Sequence, residues 1–244
     1  MVTFGLVHGA YHGSWCWERL TPELERQGHR VLTVELPTED PQAGAAEYAA
    51  VALTAFGGAG DDLVVVGHSL GGLTIPLIAA ARPVRRLIFV AGMLPRPGTS
   101  QEEVLSAEPD MIMPGPEGGA YRGPGGETRW RPEAAGHWFF ADCTADVAAW
   151  AASRLRGQCW KITREVTPLS AWPAVPWRQP RGRRGVVGQD HGSSQATGDR
   201  SGQARTVQPA AGQRTGQPGG QPGAAAHVMV PVHGRAPDDD HRLR

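Results

Sequence analysis

Residues 63–81 constrain the fold more than any other part of this sequence. They read LVVV, then GHSLG, then a mostly apolar run that ends at residue 81. Such a Gly-x-Ser-x-Gly pattern between an apolar strand and a helix puts the serine on a sharp, strained turn. Gly67 and Gly71 leave space where side chains would collide across that turn. We therefore predict Ser69 to be a nucleophile on a strand-to-helix turn, with Pro76 bending the helix that follows.

The first hundred residues alternate short apolar runs with longer amphipathic stretches. This rhythm is typical of a parallel sheet that is buried on both faces by helices, so the predicted fold class is α/β. The expected strands are Thr3 to Val7, Val31 to Glu35, Leu63 to Val66 and Leu87 to Ala91, and the expected helices are Trp17 to Gln27, Ala43 to Phe56 and Leu73 to Ala81. Gly28 should end the first helix.

Residues 95–167 break this rhythm. MIMPGPEGGAYRGPGG, residues 111–126, is expected to form a loop, and residues 142–155 are expected to form a helix. An insertion at this place usually covers the carboxyl ends of the strands as a cap, where ligands bind. Its aromatic side chains either pack a small core of the cap or line an apolar pocket: Trp130, Trp138, Phe139, Phe140, Trp150 and Trp160.

A second glycine-containing loop, His8-Gly9-Ala10, follows the first strand. Acyl transfer needs two backbone N–H groups directed at the developing oxyanion. The residue after the nucleophile, Leu70, supplies one, and a loop of this kind supplies the other. We predict Ala10 and Leu70 as the oxyanion donors. The alternative is that the loop is a plain strand-to-helix turn.

The net charge of zero conceals two different regions. Residues 1–177 hold 14 Lys and Arg against 19 Asp and Glu, whereas residues 178–244 hold 10 against 5. Leu, Ile, Val and Phe supply only 7 of the last 67 residues, while Gly, Pro and Gln supply 26. Such a composition is typical of low-complexity or disordered chain. We predict a folded region over residues 1–177, with its cap at about 95–167, and a poorly ordered or non-native tail over 178–244.

The cellular context follows from the same composition. The overall neutrality argues against a nucleic-acid or membrane partner, because both select for basic surfaces. The three cysteines, Cys16, Cys143 and Cys159, are too few for a disulfide framework and are expected to be reduced thiols. The N-terminus shows neither a signal peptide nor a membrane span. The expected location is the cytoplasm.

Four segments together resemble one family. LVHGAYHGSWCW, VVVGHSLGG, HWFFADCTADVAAWAASRLRGQ and TPLSAW resemble the α/β-hydrolase family, in the branch of plant methylesterases, hydroxynitrile lyases and bacterial esterase-like relatives. The resemblance covers about residues 1–177. It implies a Ser-His-Asp hydrolase with a lid-covered apolar pocket for small esters, no cofactor and no metal. A small-molecule ester is the expected partner, and a homodimer is left open.

Gly9 separates esterases from lyases within this branch. The lyases resemble one another in carrying Thr at this place, and the Thr hydroxyl helps to hold a cyanohydrin. Glycine supplies no hydroxyl, so the resemblance favours an esterase over a lyase.

The acid and the base of the triad are harder to place. In this fold they follow the serine in the order Asp, then His. After WPAVP, residues 172–176, the match to the family dissolves. Asp190 follows the strand-like GVVGQ and is the first candidate acid, with Asp199 as its rival. His227, in apolar surroundings, is the first candidate base.

The sequence contains further candidate histidines. His191, His233 and His241 are alternatives for the base, flanked by polar or glycine residues. All of these tail residues have a second interpretation as solvated groups of a disordered segment. His12 and His68 are expected to be packing or pocket residues.

The composition of the tail suggests its origin. A chain with 23 Arg and one Lys points to GC-rich codons, and out-of-frame reading of such codons gives an excess of Arg, Gly, Pro, Ala and Gln. We hypothesise that a frameshift near residue 177 replaced the native strands and final helix. If neither other reading frame restores a strand, an Asp, a Gly-His turn and a helix, the hypothesis is wrong. Independently of its origin, a tail without a complete triad leaves a competing function: a catalytically impaired hydrolase remnant or a protein that binds a small apolar ligand.

Overall fold

The computed structural model describes residues 1–111 and 117–180. Within them a five-stranded sheet has the order β2-β1-β3-β4-β7, and every pair in it is parallel. Its strands are β1 (Thr3–Val7), β2 (Arg30–Thr33), β3 (Leu63–His68), β4 (Arg86–Val90) and β7 (Trp177–Arg178). The predicted α/β class with a mostly parallel sheet is confirmed.

The helices lie between these strands. They are α1 (Thr21–Arg26), α2 (Ala45–Ala55), α3 (Ile75–Ala81), α4 (Gln101–Ala107), α5 (Pro132–Phe139), α6 (Ala145–Ala152) and α7 (Lys161–Arg164), with 3-10 turns at Ser14–Trp17, Ser69–Leu73 and Pro109–Met111. In these same ranges no helix is long and apolar enough to span a bilayer.

Two of the predicted helices differ from the structure. The stretch Trp17 to Gln27 divides into a 3-10 turn and α1, after which Gly28 takes a φ of 81° as expected for the residue that follows a helix. The stretch Leu73 to Ala81 also divides. Pro76 does not bend a continuous helix, because α3 begins at Ile75 and a proline in the first turn removes no intrahelical hydrogen bond.

β3 is the buried centre of the sheet, and all six of its residues are buried. Leu63 and Val65 pack into one core cluster, which includes Phe56 and Ile78 of the helical layer. Val64 and Val66 belong to a second cluster with Leu6 and Trp17. Since successive strand side chains point to opposite faces, this split shows that helices or turns cover both faces.

The region between β4 and β7 contains a hairpin that the sequence did not predict. β5 (Ala120–Arg122) pairs antiparallel with β6 (Thr128–Trp130), within and just after the stretch that was expected to be a loop. The strands are only three residues long, and Gly126 makes the turn with a φ of 84°. Backbone bonds between Thr128 and Gln158 attach the hairpin to the rest of the insertion.

The insertion is also tied to the helical layer at the start of α2. The Glu165 carboxylate, just after α7, accepts a hydrogen bond of 2.7 Å from the Ala45 N–H. Glu47 accepts another of 2.7 Å from the Gly44 N–H. These carboxylates satisfy N–H groups that a helix start leaves unpaired. The insertion is thereby fixed against the sheet domain.

Candidate active site

Ser69 lies at the carboxyl end of β3 with a φ of 49°. A non-glycine residue in this left-handed region is strained, and such strain concentrates at functional sites. The two motif glycines fit the turn closely. A Cβ on Gly67 would lie 2.9 Å from the Gly71 oxygen, and a Cβ on Gly71 would lie 2.6 Å from the His8 oxygen. The structure thus shows the strained strand-to-helix turn that the motif predicts.

The loop after β1 packs directly against this turn. A Cβ on Gly9 would lie 2.9 Å from Ser69 Cβ and equally close to His68 Nδ1. The backbone that leads to Ala10 therefore passes beside the serine, and Leu70 follows the serine in the chain. Both residues predicted as oxyanion donors are buried at this junction.

Two histidines hold the shape of the loop. His8 Nε2 accepts a hydrogen bond from the Leu36 N–H at 3.1 Å, so its proton sits on Nδ1, 2.9 Å from the Gly9 oxygen. Burial lowers the pKa of His8 to about 4. His12 Nδ1 lies 2.7 Å from the Ala10 oxygen, and its ring stacks on Trp15. His8 thus bonds within the loop through Nδ1 and to the segment after β2 through Nε2.

His68 is buried next to the serine in the chain but contacts other rings. Its ring meets those of His12 and Trp17 edge to face, at 5.7 and 6.3 Å. Burial, with smaller effects from His12 and His8, lowers the pKa of His68 to about 3. An imidazole held neutral by its surroundings is a weak proton acceptor at neutral pH.

The serine hydroxyl has no partner in the part of the chain that the structure describes. Ser69 is 1% exposed, and its Oγ makes no hydrogen bond within residues 1–111 and 117–180. The predicted acid Asp190 and base His227 lie outside the described residues, as do Asp199, His191, His233 and His241. β7, which directly follows WPAVP, pairs with β4.

Aromatic residues of the insertion cover the loop after β1. Tyr11 meets Trp130, Phe139 and Trp160 with ring centroids 6.2, 6.0 and 5.7 Å apart. His12 meets Phe140 at 6.1 Å. The two interpretations of these side chains are therefore compatible, because they pack with one another and also against the site loop.

A polar network near the site was missed in the sequence. The Glu35 carboxylate, just beyond β2, accepts bonds from the N–H and the hydroxyl of Ser14 at 2.9 and 2.8 Å. It also pairs with Arg156 of the insertion. No local signal links these three positions, which are brought together only by the fold.

In the described part of the chain, no group of three or more His, Cys, Asp or Glu side chains could hold a metal ion. The hydrogen-bonding groups next to Ser69 are instead backbone amides and imidazoles. The arrangement suits nucleophilic attack by Ser69, because the strained serine lies beside the loop of Gly9 and Ala10.

Comparison with known proteins identifies the family. The model of the alpha/beta hydrolase family matches residues 6–240, and the chain belongs to that family. The match extends further than the resemblance seen in the motifs, which ends at about residue 177.

Curated relatives are similar over about half of the chain. A probable esterase, PIR7A, of Oryza sativa subsp. indica is 35% identical over 126 residues, which are 45% of this chain and 48% of the relative. An alpha-hydroxynitrile lyase of Arabidopsis thaliana is 37% identical over 123 residues, 46% of this chain and 47% of the relative. The chain thus spans about half the length of the curated relatives it matches.

Solved structures show the same fold. Polyneuridine aldehyde esterase superposes with a TM-score of 0.58 at 21% identity, over 73% of this chain and 79% of that chain. A pyrethroid hydrolase from Sphingobium faniae superposes with a TM-score of 0.56 at 21% identity, over 70% and 73%.

Proposed function

We propose that this chain is a serine hydrolase of small carboxylic esters. The observation that carries the proposal is the backbone of Ser69, which has a φ of 49° at the end of the central buried strand. The fold holds an L-residue in this costly conformation beside a second loop, which is what a nucleophile on a tight turn requires. The esterases among the relatives support the same activity.

The proposed reaction begins with attack of Ser69 Oγ on the acyl carbon. The N–H groups of Ala10 and Leu70 bind the oxyanion of the tetrahedral intermediate, and its collapse releases the alcohol. Water then attacks the acyl-enzyme and releases the acid. A histidine must take the serine proton and a carboxylate must orient it, and His227 with Asp190 is our proposal for this pair.

Gly9 supports an esterase over a lyase by sterics as well as by resemblance. A side chain at this position would meet His68 Nδ1 and Ser69 Cβ at 2.9 Å already at its Cβ atom. A threonine hydroxyl therefore has no space here unless the serine turn shifts.

A second candidate function is a catalytically impaired relative that binds a small apolar ligand. The observation that favours it is the Ser69 hydroxyl, which has no imidazole or carboxylate partner in residues 1–111 and 117–180. A serine without a base is a poor nucleophile, although the oxyanion donors and substrate binding leave residual catalysis.

A fluorophosphonate probe distinguishes the two functions. We expect the probe to label wild-type protein at Ser69 and the Ser69→Ala variant not at all, with ester hydrolysis falling by a factor on the order of 10³ or more. Ser106→Ala is the matched control, since this exposed serine of α4 bonds only to the Glu102 oxygen in its own helix. Mass spectrometry locates the adduct. Folded wild-type protein that stays unlabelled would establish the impaired relative instead.

A further inference from the structure

Tyr11 is a buried tyrosine whose position packing alone does not explain. It is 1% exposed, and its O–H has no acceptor among residues 1–111 and 117–180. Its backbone has a φ of 63°, which is unusual and costly for a bulky residue. Buried hydroxyl groups normally have a partner, so an unpaired one at a strained position points to a ligand that the free protein lacks.

Trp130 brings a second donor to the same place. This residue of β6 is 6% exposed, and its indole N–H donates towards the Tyr11 oxygen. The two rings meet edge to face, with centroids 6.2 Å apart and planes at 83°. Burial raises the pKa of Tyr11, and the hydrogen bond from the Trp130 indole N–H opposes this effect. The Tyr11 O–H therefore lies beside a second donor inside an aromatic cluster, and its own proton is left for another acceptor.

The pair is close to the proposed chemistry. Tyr11 directly follows Ala10, so their Cα atoms are about 3.8 Å apart. Gly9, one residue earlier, lies against the Ser69 side chain. A Cβ atom added to Gly9 would be 2.9 Å from Ser69 Cβ. An ester with its carbonyl oxygen at the Ala10 N–H would have the Tyr11 side chain within reach of the next few atoms of its chain.

The surroundings select a neutral oxygen. The Tyr11 O–H has no acceptor among the described residues and so recognises an acceptor atom, and the neighbouring rings of Phe139 and Trp160 are apolar. Burial lowers the pKa values of His8, His12 and His68, which leaves these imidazoles uncharged at neutral pH. They offer no positive charge to balance a buried carboxylate. An ether, ketone or hydroxyl oxygen fits this site better than an anion.

We propose that the Tyr11 hydroxyl and the Trp130 indole N–H form a specificity site for a second, uncharged oxygen of the ester substrate. This inference rests on the proposed ester hydrolysis at Ser69. It assigns to the Tyr11 O–H, with the Trp130 indole N–H beside it, the role of positioning an oxygenated ester, whereas an all-carbon chain of the same length leaves that O–H without an acceptor.

An oxygen scan of the substrate tests the site. The substrates are 4-nitrophenyl hexanoate and its analogues in which an ether oxygen replaces one methylene at a time. Each is assayed with wild type, Tyr11→Phe and Trp130→Phe. Tyr121→Phe is the matched control, because Tyr121 of β5 is 42% exposed and loses the same hydroxyl outside the cluster.

We expect wild type to favour one analogue. In Tyr11→Phe, kcat/KM for this analogue should fall by about fivefold to tenfold, which corresponds to the loss of one neutral hydrogen bond. Trp130→Phe should affect the same analogue. The loss is measured relative to hexanoate in the same variant, and Tyr121→Phe should keep every such ratio within twofold of wild type. Equal ratios for all esters in all variants would overturn the specificity site.

Binding separates failure of this site from failure of the catalytic proposal. The methyl esters of the same series are titrated into Ser69→Ala and into Ser69→Ala/Tyr11→Phe, with tryptophan fluorescence or calorimetry as the readout. A preference for one oxygen position that disappears with the Tyr11 hydroxyl supports the site even if wild-type protein hydrolyses nothing. Labelling of Ser69 without any oxygen preference rejects the site and leaves the hydrolase.

Discussion

The loops at the two ends of the parallel strands satisfy their backbone groups in different ways. At the amino ends, arginine side chains donate to loop carbonyl groups: Arg30 to Gly58, and Arg82 to Phe56 and Ala59, each at 2.7 Å. These loops are held by polar contacts that any folded surface can make. Their role is structural.

The carboxyl ends instead hold strained backbone beside buried hydroxyl groups. In the described ranges, the non-glycine residues with positive φ are Tyr11, Ser69 and Ala91, which follow the three adjacent strands β1, β3 and β4. Among the described residues, the O–H groups of Tyr11 and Ser69 are buried there without an acceptor, and His68 Nε2 is buried without a partner. A fold maintains such costly features only where the surrounding packing enforces them, which marks this edge as the functional one.

The largest expected effect, on stability and on labelling, is that of a glycine substitution at the carboxyl end of the sheet, compared with one at the amino end. In Gly71→Ala, the new Cβ would lie 2.6 Å from the His8 oxygen and 2.8 Å from the Val7 oxygen. Because both are main-chain atoms, we expect the free energy of unfolding to fall by about 3 kcal/mol and probe labelling of Ser69 to be lost. Urea denaturation and fluorophosphonate labelling measure the two effects.

Gly60→Ala is the control at the amino end. A Cβ there has nothing within 4 Å, and Gly60 is not among the left-handed glycines. Its stability should stay within about 0.5 kcal/mol of wild type, with labelling unchanged. Equal costs for both substitutions would contradict the contrast between the two edges.

Acid should destabilise the carboxyl edge through His68. Burial lowers the pKa of this imidazole from 6.5 to about 3. Between these values the unfolded chain binds a proton that the folded chain does not, so stability falls as the pH is lowered through this window. His68→Gln removes this contribution and should reduce the slope of stability against pH by about 1 kcal/mol per pH unit.

Urea denaturation at pH 7, 6 and 5 measures this slope. His137→Gln, at an exposed position on α5, should leave the slope as it is in wild type. An unchanged slope in His68→Gln would show that the imidazole accepts its proton in the folded state.

The smallest expected effect concerns backbone strain at the nucleophile. Ser69→Gly relieves the φ of 49°, whereas Ser69→Ala keeps it. We expect the glycine variant to be about 1 kcal/mol more stable than the alanine variant. At Ser106, near the end of α4, the order should reverse, because glycine is the poorer helix residue. The same order at both positions would remove the case for strain at Ser69.

Much of the sheet could be predicted from the sequence. β1 matches its predicted bounds, and β2, β3 and β4 differ from theirs by one or two residues at their ends. Buried parallel strands are continuous apolar runs, a local signal that tertiary structure rarely overrides. The hairpin β5-β6 was missed since two three-residue strands rich in charged side chains carry no such signal.

The candidate site was predictable in part for the same reason. Ser69 could be found because its motif combines a strand, two close-fitting glycines and a helix within 20 consecutive residues. The proposed role of Tyr11 could not be found in this way, because it depends on the contact with Trp130, more than a hundred residues further along the chain. Asp190 and His227 remain predictions that depend on residues beyond the described ranges.

The sequence by itself thus determined the parallel sheet, the strained serine turn and the loop beside it, because each depends on spacing within a short segment. Only the tertiary structure decided which His8 nitrogen holds its proton, how Glu35 joins Ser14 to Arg156, and that Tyr11 meets Trp130 in an aromatic cluster. Those features arise from contacts between distant segments, and long-range packing leaves no periodic trace in the order of residues.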